Sequence, residues 1–185
     1  MPRKTRDEGV LVVGLGRFGA SIALTLEKLG TQVLAIDTNQ ELVQKYSGQL
    51  THVVRADATQ PEVLDQIGAS DFSIAVVGVG TTVEASVLIA ANLVDLGNPL
   101  IWAKAISAAH GRILQRIGCH HVVYPEADAG KRVAHLVNGR LMDFIEFDDD
   151  FAIVKMRPPH EVQGKTLAES DIRQQHGVTV VGVKS

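Results

Sequence analysis

Val10-Leu-Val-Val-Gly14-Leu-Gly16-Arg-Phe-Gly19 decides the fold: an uninterrupted apolar strand runs straight into Gly14-x-Gly16-x-x-Gly19, and the next apolar run ends in Asp37. Each element has a physical task. Gly14 permits the tight turn, Gly16 lets backbone approach a phosphate, and Gly19 allows a helix to pack closely on the strand. The free N–H groups and positive dipole end of that helix make an anion site. Asp37 falls where a carboxylate accepts hydrogen bonds from the 2′- and 3′-hydroxyls of a ribose. Together they predict a site for an adenine nucleotide.

Outward from this stretch, strand and helix alternate. Strands are expected at Val33–Ile36, His52–Arg55, Phe72–Val77, Leu100–Ala103 and Val122–Tyr124. The first helix carries Phe18, Ile22, Leu26 and Leu29 on one face and closes at Gly30. Others are expected at 40–47, from a capping box at Thr59-Gln-Pro-Glu62 to about Ile67, at 83–96, from a Ser107 cap to Ile117, and at 126–139. Continuous rather than alternating apolar strands with helical crossovers indicate a doubly wound parallel sheet, α/β and Rossmann-like. Residues 1–9 read as a polar tail, 10–125 as the nucleotide-binding domain and 126–141 as a crossover helix. Residues 142–185 read as a partial α+β subdomain. There, Met142–Phe147 and Phe151–Met156 flank an acidic tip as a hairpin, followed by a helix over 167–176 and a strand over 178–183. This region looks cut short, or completed by a partner chain.

Composition narrows the function. Of the 185 residues 45% are apolar, enough for a real core, and the net charge of −3 argues against nucleic acid as the main partner. No apolar run reaches the roughly 18 residues that cross a bilayer. The polar segment 1–8 predicts no signal peptide. The single cysteine, Cys119, excludes an internal disulfide, fits a reducing cytosol and reads as a small buried hydrophobe. Asp148-Asp149-Asp150 with Glu146 lacks the spacing and turn glycine of a calcium loop.

Arg17 stands in the first turn of a helix, against the dipole, which is explained if additional negative charge binds nearby. Asp57-Ala58-Thr59 follows the third strand and Lys104 the fifth, both at the carboxyl edge where ligands of such sheets collect. Asp57 reads as a contact to adenine or its ribose, Lys104 as a phosphate contact. Hydride chemistry needs a substrate pocket from a second domain, for which the remainder is too small. His110, His120 and His121 form no recognisable catalytic or zinc motif, and no phosphate loop of the Gly-x-x-x-x-Gly-Lys type is present. The sequence supplies a binding site and no visible catalyst.

Val-Val-Gly14-Leu-Gly16-Arg17-Phe18-Gly19, Asp37, Ala56-Asp57-Ala58-Thr59, Ala103-Lys104-Ala105 and Tyr124-Pro125-Glu126 resemble the RCK domains (regulators of K⁺ conductance), in particular the cytosolic gating subunits of Trk/Ktr-type bacterial K⁺ uptake systems. The resemblance implies a regulatory subunit, not an enzyme, that binds ATP, ADP or NAD(H) and assembles as homodimers into rings. It implies a cytoplasmic location beneath a membrane-embedded K⁺ channel or transporter. By match, Gly14, Gly16 and Gly19 would line the phosphates and Asp37 and Asp57 the nucleoside, with Phe18 and Ala58 as further cofactor-binding residues. Arg17 would meet the terminal phosphate, Lys104 would be a further phosphate contact, and Glu126 would sit at a divalent cation (Mg²⁺ or Ca²⁺). Two alternatives remain open: a small NAD-dependent oxidoreductase, and the nucleotide-sensing domain of another cation exchanger.

Overall fold

The computed structural model describes residues 7–98, 100–138, 142–148 and 151–183. Two compact units divide after Asp128. In the first, strands β1 (Asp7–Val13), β2 (Val33–Asp37), β3 (His52–Arg55), β4 (Phe72–Val77), β5 (Leu100–Lys104) and β6 (His121–Val123) form one parallel sheet in the order β3-β2-β1-β4-β5-β6. Between them run helices α1 (Arg17–Lys28), α2 (Gln40–Tyr46), α3 (Pro61–Gln66), α4 (Val83–Asp95) and α5 (Ala108–Ile117), and α6 (Pro125–Val137) follows β6. The doubly wound Rossmann-like sheet expected from the apolar strands is the observed one. The first strand begins at Asp7, inside the segment read as a tail; residues 1–6 lie outside the described residues.

Alternation along the strands sends successive side chains into two layers. Leu11 and Val13 face the layer that holds Leu64, Ile89, Leu93 and Leu114 from α3, α4 and α5. Val10 and Val12 face Ala20 and Ala23 of α1. Both faces of β1 are therefore sealed from water over Val10–Val13, which is why that stretch is continuously apolar. The deepest positions of α1 are Gly19, Ala20 and Ala23, so this helix lies close on the sheet. Phe18, Ile22 and Leu26 pack around them as expected. Leu29 does not: it is the C-cap residue and 75% exposed, and Gly30 at φ +83° turns the chain away.

Two further local readings are corrected. Thr59 does not cap α3, whose N-cap is Gln60 without a side-chain bond. The Thr59 hydroxyl and N–H instead both donate to Asp57 Oδ1, at 2.7 and 3.0 Å, because the aspartate two residues back forms a tighter local turn. The expected helix over 167–176 is two short ones, α7 (Leu167–Ser170) and α8 (Ile172–His176), broken at Asp171, which has φ 52°. Thr166 and Glu169 form the capping box that starts α7.

In the second unit, β7 (Asp143–Asp148) and β8 (Phe151–Lys155) pair antiparallel, the hairpin read from the sequence. Asp149 and Asp150, at its expected acidic tip, lie outside the described residues. Residues 178–183, expected as a strand, form no ladder among the described residues, since a strand exists only when another edge accepts its hydrogen bonds. Arg132 of α6 donates to Asp143 of β7 at 2.7 Å.

Candidate functional site

The loops at the carboxyl ends of β1, β2, β3, β4 and β5 meet along one edge of the sheet, and the strand order reverses between β1 and β4. A ligand crevice forms at such a point because neighbouring crossovers leave to opposite faces. There the turn after β1 is built by three glycines. Gly14 has φ +93°, and a Cβ on it would lie 2.8 Å from Val79 Cγ2. A Cβ on Gly19 would lie 1.9 Å from the Gly14 carbonyl oxygen. Gly78, after β4, is wedged between Gly14 and Gly19. Gly16 differs: nothing lies within 4 Å of where its Cβ would be, so an open space fronts the N-terminus of α1. That helix has no side-chain cap and no acidic residue in its first turn, so its leading N–H groups remain available for an anion.

Asp37 reaches back to this loop. Its Oδ2 accepts from Leu15 N–H at 2.6 Å and its Oδ1 from Asn39 N–H at 2.8 Å. The carboxylate thus ties the end of β2 to the glycine turn, a structural duty that spacing alone did not reveal. Each oxygen keeps a second lone pair, so a hydroxyl can still donate to it.

At the end of β5, Lys104 Nζ donates to Glu126 Oε1 at 2.6 Å, and its side chain is 13% exposed. The ammonium lies 6.0 Å from the centroid of the Phe18 ring. The Lys104 hydrogen bond, above all, holds the Glu126 carboxyl below the usual range, and the field of Arg17 adds to it. Arg17, Phe18, Lys104 and Glu126 therefore share one neighbourhood, with Arg17 exposed. Asp57 is exposed after β3, whereas the Ala58 side chain is buried in the core and can offer a ligand only backbone. Among the described residues no group of three or more His, Cys, Asp or Glu side chains could hold a metal ion. A single carboxylate already neutralised by Lys104 is a poor fit to a divalent cation within one chain.

His120, His121 and Cys119 are structural. His120 Nδ1 accepts from Ile101 N–H at 3.2 Å, and His121 stacks on Trp102 with centroids 3.9 Å apart. Burial pushes the Cys119 thiol up to about 11, which makes it a poor nucleophile.

A glycine turn at the switch point, with a carboxylate from the next strand bonded to it, is a nucleotide-binding arrangement, and the family model of the TrkA-N domain matches residues 10–125. The chain belongs to the TrkA-N family. The Ktr system potassium uptake protein A of Bacillus subtilis (strain 168) is 32% identical over 182 residues, 98% of this chain and 82% of that protein. The Ktr system potassium uptake protein C of the same organism is 35% identical over 174 residues, 94% of this chain and 79% of that protein. A structure of the GsuK channel bound to NAD superposes with a TM-score of 0.73 at 20% identity, covering 100% of this chain and 34% of that one. No helix among the described residues is long and apolar enough to cross a membrane.

Within this TrkA-N domain, sequence reasoning missed several residues. Gly78 and Gly80, just beyond the strand expected at Phe72–Val77, are two of them: Gly78 packs on the glycine turn and Gly80 against the Lys104 side chain. A Gly-x-Gly after a second strand at the same sheet edge was the available signal. Asn92 of α4 donates to the carbonyl oxygens of Ala58 at 3.2 Å and Thr59 at 3.0 Å, which fixes the Asp57 loop from 34 and 33 residues away in sequence. No local pattern announces such a contact.

Proposed function

We propose that this chain is a nucleotide-sensing regulatory subunit of a K⁺ uptake system, and that it binds ATP and ADP, or NAD(H), at the glycine turn. The observation that carries this reading is the open N-terminus of α1 beside Gly16, with Asp37 on one side and the cations Arg17 and Lys104 on the other. The extensive likeness to potassium uptake proteins gives the transport context. Phosphates would lie against the N–H groups of residues 17–19, the ribose against Asp37, and the nucleoside towards Asp57 and the Ala58 backbone. Arg17 would meet a terminal phosphate. A bound polyanion competes with Glu126 for Lys104, so occupancy changes the contacts at the start of α6. That difference between free and bound states is what a regulatory ligand requires.

Exposed apolar residues on α4 (Val83, Leu88) and α6 (Val133, Val137) support assembly as a homodimer, and as a ring of dimers beneath a membrane-embedded transporter subunit. This would place the chain in the cytoplasm, at the membrane only through its partner. A divalent cation at Glu126 would require displacement of Lys104 and carboxylates from a second chain.

Arg17→Ala tests the reading. A charge-assisted hydrogen bond to phosphate contributes about 1.5–3 kcal/mol. The variant should therefore lose roughly ten- to a hundredfold in ATP affinity, with ADP and NADH little changed, and blunt ATP-dependent K⁺ uptake. An equal loss for all three nucleotides would make Arg17 a general anion contact, and no loss would remove it from the site.

A further inference from the structure

The end of β3 holds a cation that the reading above does not use. Arg55 is the last residue of β3, in register with Asp37 on β2, and exposed. With Thr38, Ala56 and Asp57 it lines an open cleft of about 350 Å³. Small-molecule sites span roughly 300–1,000 Å³, so the cleft is large enough for part of a ligand. Arg55 Nε donates to the Thr38 carbonyl oxygen at 3.1 Å. This bond pins one edge of the planar guanidinium to the β2–α2 loop. The residue is exposed and, among the described residues, no carboxylate pairs with it, so no ion pair takes up its two faces.

The surroundings select what those faces can hold. Asp37 stands opposite Arg55 on the neighbouring strand and Asp57 follows two residues later. A phosphate brought to Arg55 would meet two negative charges, whereas an uncharged, flat heterocycle would not. Phosphate is better served at the N-terminus of α1, on the far side of β2. Guanidinium groups stack on aromatic planes, and a guanidinium already fixed by its Nε loses little freedom in doing so.

We propose that Arg55 is a nucleotide-binding residue whose guanidinium plane stacks on the nucleobase of the bound nucleotide. The proposal rests on the nucleotide-binding reading above. It makes the contribution of Arg55 common to every nucleotide with the same base, whatever its phosphate count.

The test is calorimetric titration of AMP, ADP, ATP and NADH into the full chain and into Arg55→Ala and Arg55→Lys, with a thermal melt of each protein. Arg55→Ala should weaken all four ligands by one common factor, about three- to thirtyfold for a lost stacking contact. Arg55→Lys keeps the charge without the plane and should lose nearly as much while melting like the parent. A loss that grows with phosphate number would make Arg55 a phosphate contact and overturn the proposal. So would full affinity in either variant. If the folded parent protein binds none of the four, the nucleotide reading itself fails. If it binds them and the variants match it, only the stacking role fails.

Discussion

Gly19→Ala isolates the close approach on which the glycine turn depends. The added Cβ would stand 1.9 Å from the Gly14 carbonyl oxygen and 3.1 Å from its carbonyl carbon, both backbone atoms. Real Cβ contacts stay beyond 3.0 Å, so helix and turn must separate by at least about 1.1 Å (3.0 minus 1.9). No side chain can swing aside to absorb this. Overpacking of a tight contact costs about 1–3 kcal/mol, and the rigid backbone on both sides places this case at the upper end. Replacing glycine by alanine inside a helix returns up to about 1 kcal/mol. The net loss is then about 2 kcal/mol, which for a chain of this size lowers Tm by roughly 4–8 °C. The same separation pulls the α1 N–H groups out of line with Asp37, so affinity for ADP should fall at least about tenfold. Gly16→Ala is the control, because its Cβ enters open space and should leave Tm within about 1 °C. Melting curves with and without ADP read both effects. A Gly19→Ala protein as stable as the parent, or more so, would show that helix propensity outweighs the contact and refute the reasoning.

Asp37→Asn should narrow the preference for NADH over NADPH, which in the parent should exceed about tenfold because a 2′-phosphate would face the carboxylate; equal affinities in the parent protein would remove Asp37 from the ribose. His110 is buried, its Nδ1 accepting from Ile106 N–H at 3.4 Å and its Nε2 without a partner, and burial lowers its pKa. The folded chain therefore refuses a proton that the unfolded chain takes up near pH 6.5, so stability is full above that pH and falls below it, by at most about 1.4 kcal/mol per pH unit. His110→Gln should flatten the acid limb of urea midpoints measured from pH 7.5 to 5.5, and an unchanged slope would contradict this.

The sheet was legible because its centre is sealed on both faces: Val10–Val13 and Ala75–Val77 are continuously apolar and buried, and only a two-sided covering satisfies that. The glycine turn and Asp37 were legible because their chemistry is tied to fixed spacing. The rest depends on contacts far apart in sequence. Asn92 holds the Asp57 loop, Asp37 holds Leu15 N–H, and Lys104 meets Glu126 across 22 residues. Thr59 carried a capping signature that Asp57 overrode locally. Residues 178–183 have a strand's β-branched composition, but composition identifies a strand only when a neighbouring edge is there to pair with it.

The most direct measurement is calorimetric titration of ADP and ATP into the parent chain and into Gly16→Asp. Gly16 has room for a side chain, so the variant should fold and melt close to the parent, while its carboxylate occupies the space that fronts the α1 N-terminus. A saturable site of about one nucleotide per chain in the parent, lost in Gly16→Asp, is the predicted result. A parent chain that binds neither nucleotide, or a Gly16→Asp chain that binds them as the parent does, would contradict the account.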